Sequence, residues 1–125
     1  MARAEAERYF SEKRGLLSLW VGVLIGPVVW LALLELNFAL VPWACAAGAN
    51  WPMLATTLVA LAAVAAGALL SLRGWRDTGA EWPEESAGVI PRSRFLAAGG
   101  LLLSVFFFVT IIAHGLPNLI LGACQ

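Results

Sequence analysis

Apolar positions gather into three long stretches, residues 16–41, 53–72 and 95–116, and the short segments flanking them carry nearly all the charged side chains. Crossing a hydrocarbon core of about 30 Å takes roughly 20 helical residues at about 1.5 Å each, so every stretch is long enough to span a bilayer. The pattern predicts an all-α membrane protein, with three transmembrane helices in a bundle and a single transmembrane domain over residues 1–125. The first stretch is longer than a span needs and must tilt, kink or protrude. Pro27 offers a kink, because it removes a backbone donor and crowds the carbonyl of Val23. A cleaved signal peptide has an apolar core of only about 7–15 residues, and Trp43, two before Cys45, makes a poor lipoprotein cleavage site, so this run is read as a retained helix.

The polar segments set the orientation. Residues 1–15 mix Arg3, Arg8, Lys13 and Arg14 with Glu5, Glu7 and Glu12, which suits a short charged helix lying on the membrane, with Tyr9 and Phe10 dipping into the interface. Residues 73–94 contain Gly79, Trp82-Pro83, Gly88 and Pro91 and read as a loop rather than a domain. All 8 Lys and Arg residues lie in these two segments, while Pro42 to Pro52 and Asn118 to Gln125 hold none. The positive-inside rule then places the N-terminus and the 73–94 loop in the cytoplasm and the C-terminus on the periplasmic side. Trp43 and Trp51 flank the outer loop, and Trp75 and Trp82 sit at the inner boundary, as aromatic belts do.

Lipid is as apolar as leucine, so membrane helices associate through small residues and polar contacts. Gly22-x-x-x-Gly26, Ala63-x-x-x-Gly67 and Gly100-x-x-x-Ser104 give each span a face for close approach, and a homo-oligomer is compatible with them. The alanine-rich second span, with Ala62, Ala65 and Ala66, reads as a packing helix, and Phe106-Phe107-Phe108 as lipid-facing filler and core.

Composition narrows the function. The chain is 61% hydrophobic and 13% charged, against about 25% charge in an ordinary soluble domain. Its 8 basic and 8 acidic residues cancel, which argues against a nucleic-acid footprint. Three spans leave no room for a separate soluble catalytic domain. No nucleophile with an adjacent base, glycine-rich phosphate loop or paired acids occur, so the chain reads as a non-enzyme with no catalytic, cofactor-binding or metal residues to assign.

Glu35 is the one acidic residue inside a span, and an intramembrane carboxylate marks a functional candidate. Counting from span midpoints near residues 28, 62 and 106 puts Glu35 about 10 Å, His114 about 12 Å and Thr56 and Thr57 about 8–10 Å outward of the bilayer centre. With Asn37 nearby, and Thr110 and Asn118 close to the same layer, they are expected to form an outer-half polar cluster centred on a Glu35–His114 contact. Such a contact could fix the helix arrangement or carry a proton- or cofactor-linked role.

The same topology puts Cys45 and Cys124 together on the outer side, where, in a bacterial envelope, two cysteines read as a disulfide. Closing about 78 intervening residues is worth at most about 4 kcal/mol. Two thiolates binding copper with His114 or Met53 is a sharper alternative. His114 as an axial haem ligand would need a dimer, because the chain has 1 histidine.

Gly26-Pro27-x-x-Trp30, Leu40-Val41-Pro42-Trp43-Ala44-Cys45, Arg94-Phe95-Leu96-Ala97 and His114-Gly115-x-Pro117-x-x-Ile120-x-x-x-Cys124 together resemble small bacterial inner-membrane proteins associated with cytochrome c oxidase (haem-copper oxidase) gene clusters and their copper-delivery assembly factor. The resemblance covers all three spans. It implies a respiratory context, with oxidase subunits or assembly factors as partners beside membrane lipids, and no catalytic residues. The leading expectation is a non-enzymatic accessory protein of a terminal oxidase. The alternative is a small homo-oligomeric proton-coupled transporter using Glu35. Small multidrug exporters resemble this chain in length and in a first-helix glutamate, but have four spans.

Overall fold

The computed structural model describes residues 3–80 and 88–121, all of them in helices or short turns. The described residues form four helices: α1 (Arg3–Ser11), α2 (Lys13–Ala47), α3 (Trp51–Asp77) and α4 (Val89–Ile120). Three of them, α2, α3 and α4, are long and apolar enough to cross a membrane. Each runs past the apolar stretch that predicts it. At about 1.5 Å per residue α2 measures about 52 Å, well beyond a hydrocarbon core of about 30 Å.

The outer loop expected over residues 42–52 shrinks accordingly. Pro42 does not end α2, which continues to Ala47; a proline inside a membrane helix is tolerated because neighbouring groups satisfy the freed carbonyl. Gly48 ends the helix in the left-handed region at φ 64°. Its N–H reaches the Cys45 carbonyl at 3.2 Å, and the Ala49 N–H reaches the Ala44 carbonyl at 3.0 Å, which together satisfy two otherwise orphaned acceptors. The segment expected as a loop over 73–94 also shortens, since α3 runs to Asp77 and α4 begins at Val89.

The three long helices all touch one another. Gly22 of α2, Ser71 of α3 and Gly100 of α4 meet: a Cβ built on Gly100 would lie 2.6 Å from Ser71 Oγ and 3.1 Å from both the carbonyl carbon and the oxygen of Gly22. Ser104, one turn further along α4, donates its hydroxyl to the Gly22 carbonyl at 3.4 Å. Gly67 makes room for Ile25, and Gly26 for Phe107. Small residues therefore bring backbones together, as expected where lipid offers no hydrophobic gradient.

The charged end departs from expectation. α1 does not float on the surface: Ala6 and Phe10 are fully buried with Leu19, Ile90 and Ala97, and Tyr9, Trp75, Val89 and Leu96 pack around them. Phe10 thus occupies the protein interior rather than the lipid interface. Ser11 and Glu12 break the helix, and Gly15, which lies against the Tyr9 carbonyl, lets α1 fold back onto the start of α2. Arg94 fastens the same end by donating Nε to the Thr78 carbonyl. The Thr78 hydroxyl lies 3.0 Å from the carbonyls of both Gly74 and Trp75, and its single proton, donated to either, closes α3.

Candidate functional site

The predicted polar layer is only partly assembled. Asn37 is buried on α2, and Thr56 of α3 lies 3.0 Å from its Oδ1 and 2.9 Å from the Met53 carbonyl. A hydroxyl has one proton and can donate once. Turning the Asn37 amide end for end resolves this: Nδ2, otherwise buried without a partner, donates to Thr56 Oγ1, and Thr56 donates to Met53. Asn37 and Thr56 therefore form one interhelical polar link. Thr57 looks inward too, but its hydroxyl returns to the Met53 carbonyl at 2.9 Å. Its methyl fills the notch above Gly115, where a Cβ would lie 2.9 Å away. Thr110 likewise bonds its own helix, donating to the Phe106 carbonyl at 2.8 Å.

Glu35 and His114 are not brought together. Both are exposed, and neither makes a hydrogen bond or ion pair among the described residues. Their levels do agree. With Gly22 and Gly100 in register, Glu35 stands about 20 Å and His114 about 21 Å above the crossing. The azimuth differs. Leu33 and Asn37 are buried, and Glu35, two residues from each at about 100° per residue, points away from the neighbouring helices. It interrupts an exposed row formed by Leu24, Val28, Leu31 and Phe38.

At the same end, Trp43 and Trp51 meet edge to face with centroids 6.4 Å apart, across the short 48–50 connection. A cleft of about 260 Å³ opens between α3 and α4, lined by Asn50, Trp51, Leu54, Thr57, Gly115 and Asn118. Below it, Leu33, Ala60, Val64 and Ile111 form a buried cluster with Trp30 at its edge. Trp30 stacks obliquely on Phe107 at 5.8 Å, and its Nε1 is buried with no acceptor among the described residues. Cys45 lies exposed on the last turn of α2 and is not a free thiol. Cys124 falls outside the described residues. Met53, weighed above as a copper ligand, is buried in the interior.

A second cleft, of about 330 Å³, lies at the charged end between α1, α2 and α3. Tyr9, Ser18, Leu70, Arg73 and Asp77 line it. The sequence places Tyr9 at the interface and Arg73 in a loop without grouping them, although Leu70, Arg73, Gly74 and Asp77 carry the 3–4–7 spacing of one helix face. Arg73 and Asp77 do not pair with each other, and neither has a polar partner among the described residues. No group of three or more His, Cys, Asp or Glu able to hold a metal ion occurs among the described residues. Comparison of the chain with family models, curated proteins and solved structures finds no match.

Proposed function

We propose that this chain is a non-enzymatic accessory protein of a respiratory terminal oxidase, a small subunit or assembly partner, in the bacterial inner membrane. The observation that carries the reading is Glu35, exposed on α2 within an apolar row and lacking any polar contact within the chain among the described residues. A carboxyl group in hydrocarbon is costly, and such groups pair with another polar group or face a protein interior. A neighbouring transmembrane helix with a donor at this depth would satisfy it. The respiratory context rests on the resemblance of the Pro42-Trp43-Ala44-Cys45 and His114-Gly115-x-Pro117 segments.

In this reading the N-terminus and α1 face the cytoplasm, supported by the placement of all 8 basic residues at one end. Cys45 and Cys124, the 2 cysteines of the chain, form a disulfide on the periplasmic side, supported by the absence of a free thiol at Cys45. Peptide mapping with and without reductant should recover Cys45 and Cys124 as one crosslinked pair; alkylated single peptides would refute it.

Purification from native membranes in mild detergent tests the main proposal. Oxidase subunits should co-purify with the chain and be depleted with Glu35→Ala. A clean preparation without oxidase, from cells whose oxidase is unimpaired by deletion, would overturn it. The outward placement of Glu35 also favours a second reading, a homo-oligomeric proton-coupled transporter with the carboxyl groups at its subunit interface. Proton-driven flux in liposomes that Glu35→Gln abolishes would put that reading first.

A further inference from the structure

We infer that the cleft at the charged end holds the headgroup of one phospholipid, specifically a phosphodiester bearing a primary ammonium, as in phosphatidylethanolamine. The cleft has the two charges such a headgroup needs, on one element. Arg73 and Asp77 lie one turn apart on the same face of α3, about 6 Å along the axis, and both line the cavity. At that spacing an arginine and an aspartate commonly pair with each other. Here they do not, nor does either find a polar partner elsewhere among the described residues. Among the described residues the cleft therefore presents a separated cation and anion.

The rest of the lining sorts by chemistry. Ser18 of α2 and Tyr9 of α1 line the cleft with α3, and their hydroxyls are the donors available to phosphate oxygens beside the guanidinium, which itself favours forked recognition of phosphate. Leu70, exposed one turn toward the apolar part of α3, continues the wall in the direction an acyl chain would take. The ammonium then meets Asp77, at the solvent side. A volume of about 330 Å³ suits a headgroup and far exceeds one water, which takes about 30 Å³.

Asp77 is the selective element. Without it the site would favour any anionic lipid. With it, phosphatidylglycerol offers the carboxylate only neutral hydroxyls, which leave the repulsion between Asp77 and the phosphate without a compensating charge. Phosphatidylcholine brings a quaternary ammonium with no N–H to donate. This inference does not depend on the oxidase proposal and survives or fails separately.

Native mass spectrometry of the full chain from nanodiscs with equal shares of phosphatidylethanolamine, phosphatidylglycerol and phosphatidylcholine reads the outcome. The wild type should retain one phosphatidylethanolamine about fivefold over either competitor, the ratio given by a solvent-screened ion pair of roughly 1 kcal/mol. Asp77→Asn should lose the preference over phosphatidylglycerol while still retaining a lipid, and Arg73→Gln should lose retention altogether. Circular dichroism establishes that each variant is folded, and Arg73→Lys, which keeps the charge, should restore part of the binding. Equal retention of the three lipids by the wild type, or an unchanged preference in folded Asp77→Asn, would overturn the inference. So would full displacement of the lipid by soluble glycerophosphoethanolamine, which would assign the cleft to a free metabolite instead.

Discussion

Gly99 and Gly100 are adjacent in α4 and identical in chemistry, yet adding one methyl group to each should have opposite effects. A Cβ on Gly99 meets nothing within 4 Å, whereas one on Gly100 lies 2.6 Å from Ser71 Oγ and 3.1 Å from the Gly22 carbonyl carbon and oxygen. Replacing a helix-interior glycine with alanine gains about 0.5–1 kcal/mol from reduced backbone freedom, and Gly99→Ala should keep that gain. Gly100→Ala must push against a backbone, which cannot rotate out of the way as a side chain can. Overpacking of this kind costs about 1–3 kcal/mol. The two variants should therefore differ by about 1–3 kcal/mol, a tenfold or greater separation in the ratio of folded to unfolded chain for most of that range. Tryptophan fluorescence during titration from mild detergent into dodecyl sulfate micelles measures the difference, with 6 tryptophans as reporters. Ser71→Ala in the Gly100→Ala background removes the nearer obstacle and should recover part of the loss, leaving the share due to Gly22. If Gly100→Ala and Gly99→Ala unfold within about 0.5 kcal/mol of each other, the ordinary spread for surface changes, the close approach of α2 and α4 at this crossing is wrong.

Phe10→Ala should cost about 3–5 kcal/mol in the same titration, because a fully buried ring between α1, α2 and α4 is removed. A loss under about 1 kcal/mol would return α1 to the membrane surface, where a truncated ring leaves no cavity. Trp30→Phe should stay within about 1 kcal/mol of wild type, since removal of a buried donor with no acceptor among the described residues offsets the loss of ring area. A loss above about 2 kcal/mol would mean that the indole nitrogen has a partner after all.

How much of this could be read from the sequence depends on the coordinate in question. Position along the helix axes follows from counting residues, and there the reading holds: three helices long and apolar enough to span, and Glu35 and His114 at nearly one level. Position around each helix is another matter. Depth groups Glu35 with Asn37, but residues two apart on a helix differ by about 200° in azimuth, so a buried Asn37 already implies an outward Glu35. The Asn37–Thr56 link falls on facing sides and forms. Helix ends are also less legible than helix centres. Pro42 and the arginines of 73–94 look like terminators to a hydropathy scan, yet a helix can leave the apolar layer without ending. The buried face of α1 was hidden because Ala6, Tyr9 and Phe10 are few among many charges, and only packing against Ile90 and Ala97 makes them a core.

That packing has a consequence for how the protein is made. Phe10 and its receptors on α4, Ile90 and Ala97, stand 80 or more residues apart. At about 5–20 residues per second, a ribosome needs roughly 4–16 seconds to supply the second after the first. The helix that emerges first is therefore the last to find its full seat, and until α4 arrives its apolar side has only the start of α2 and the end of α3 to rest on. Closure of the N-terminal segment reports that the final span has arrived.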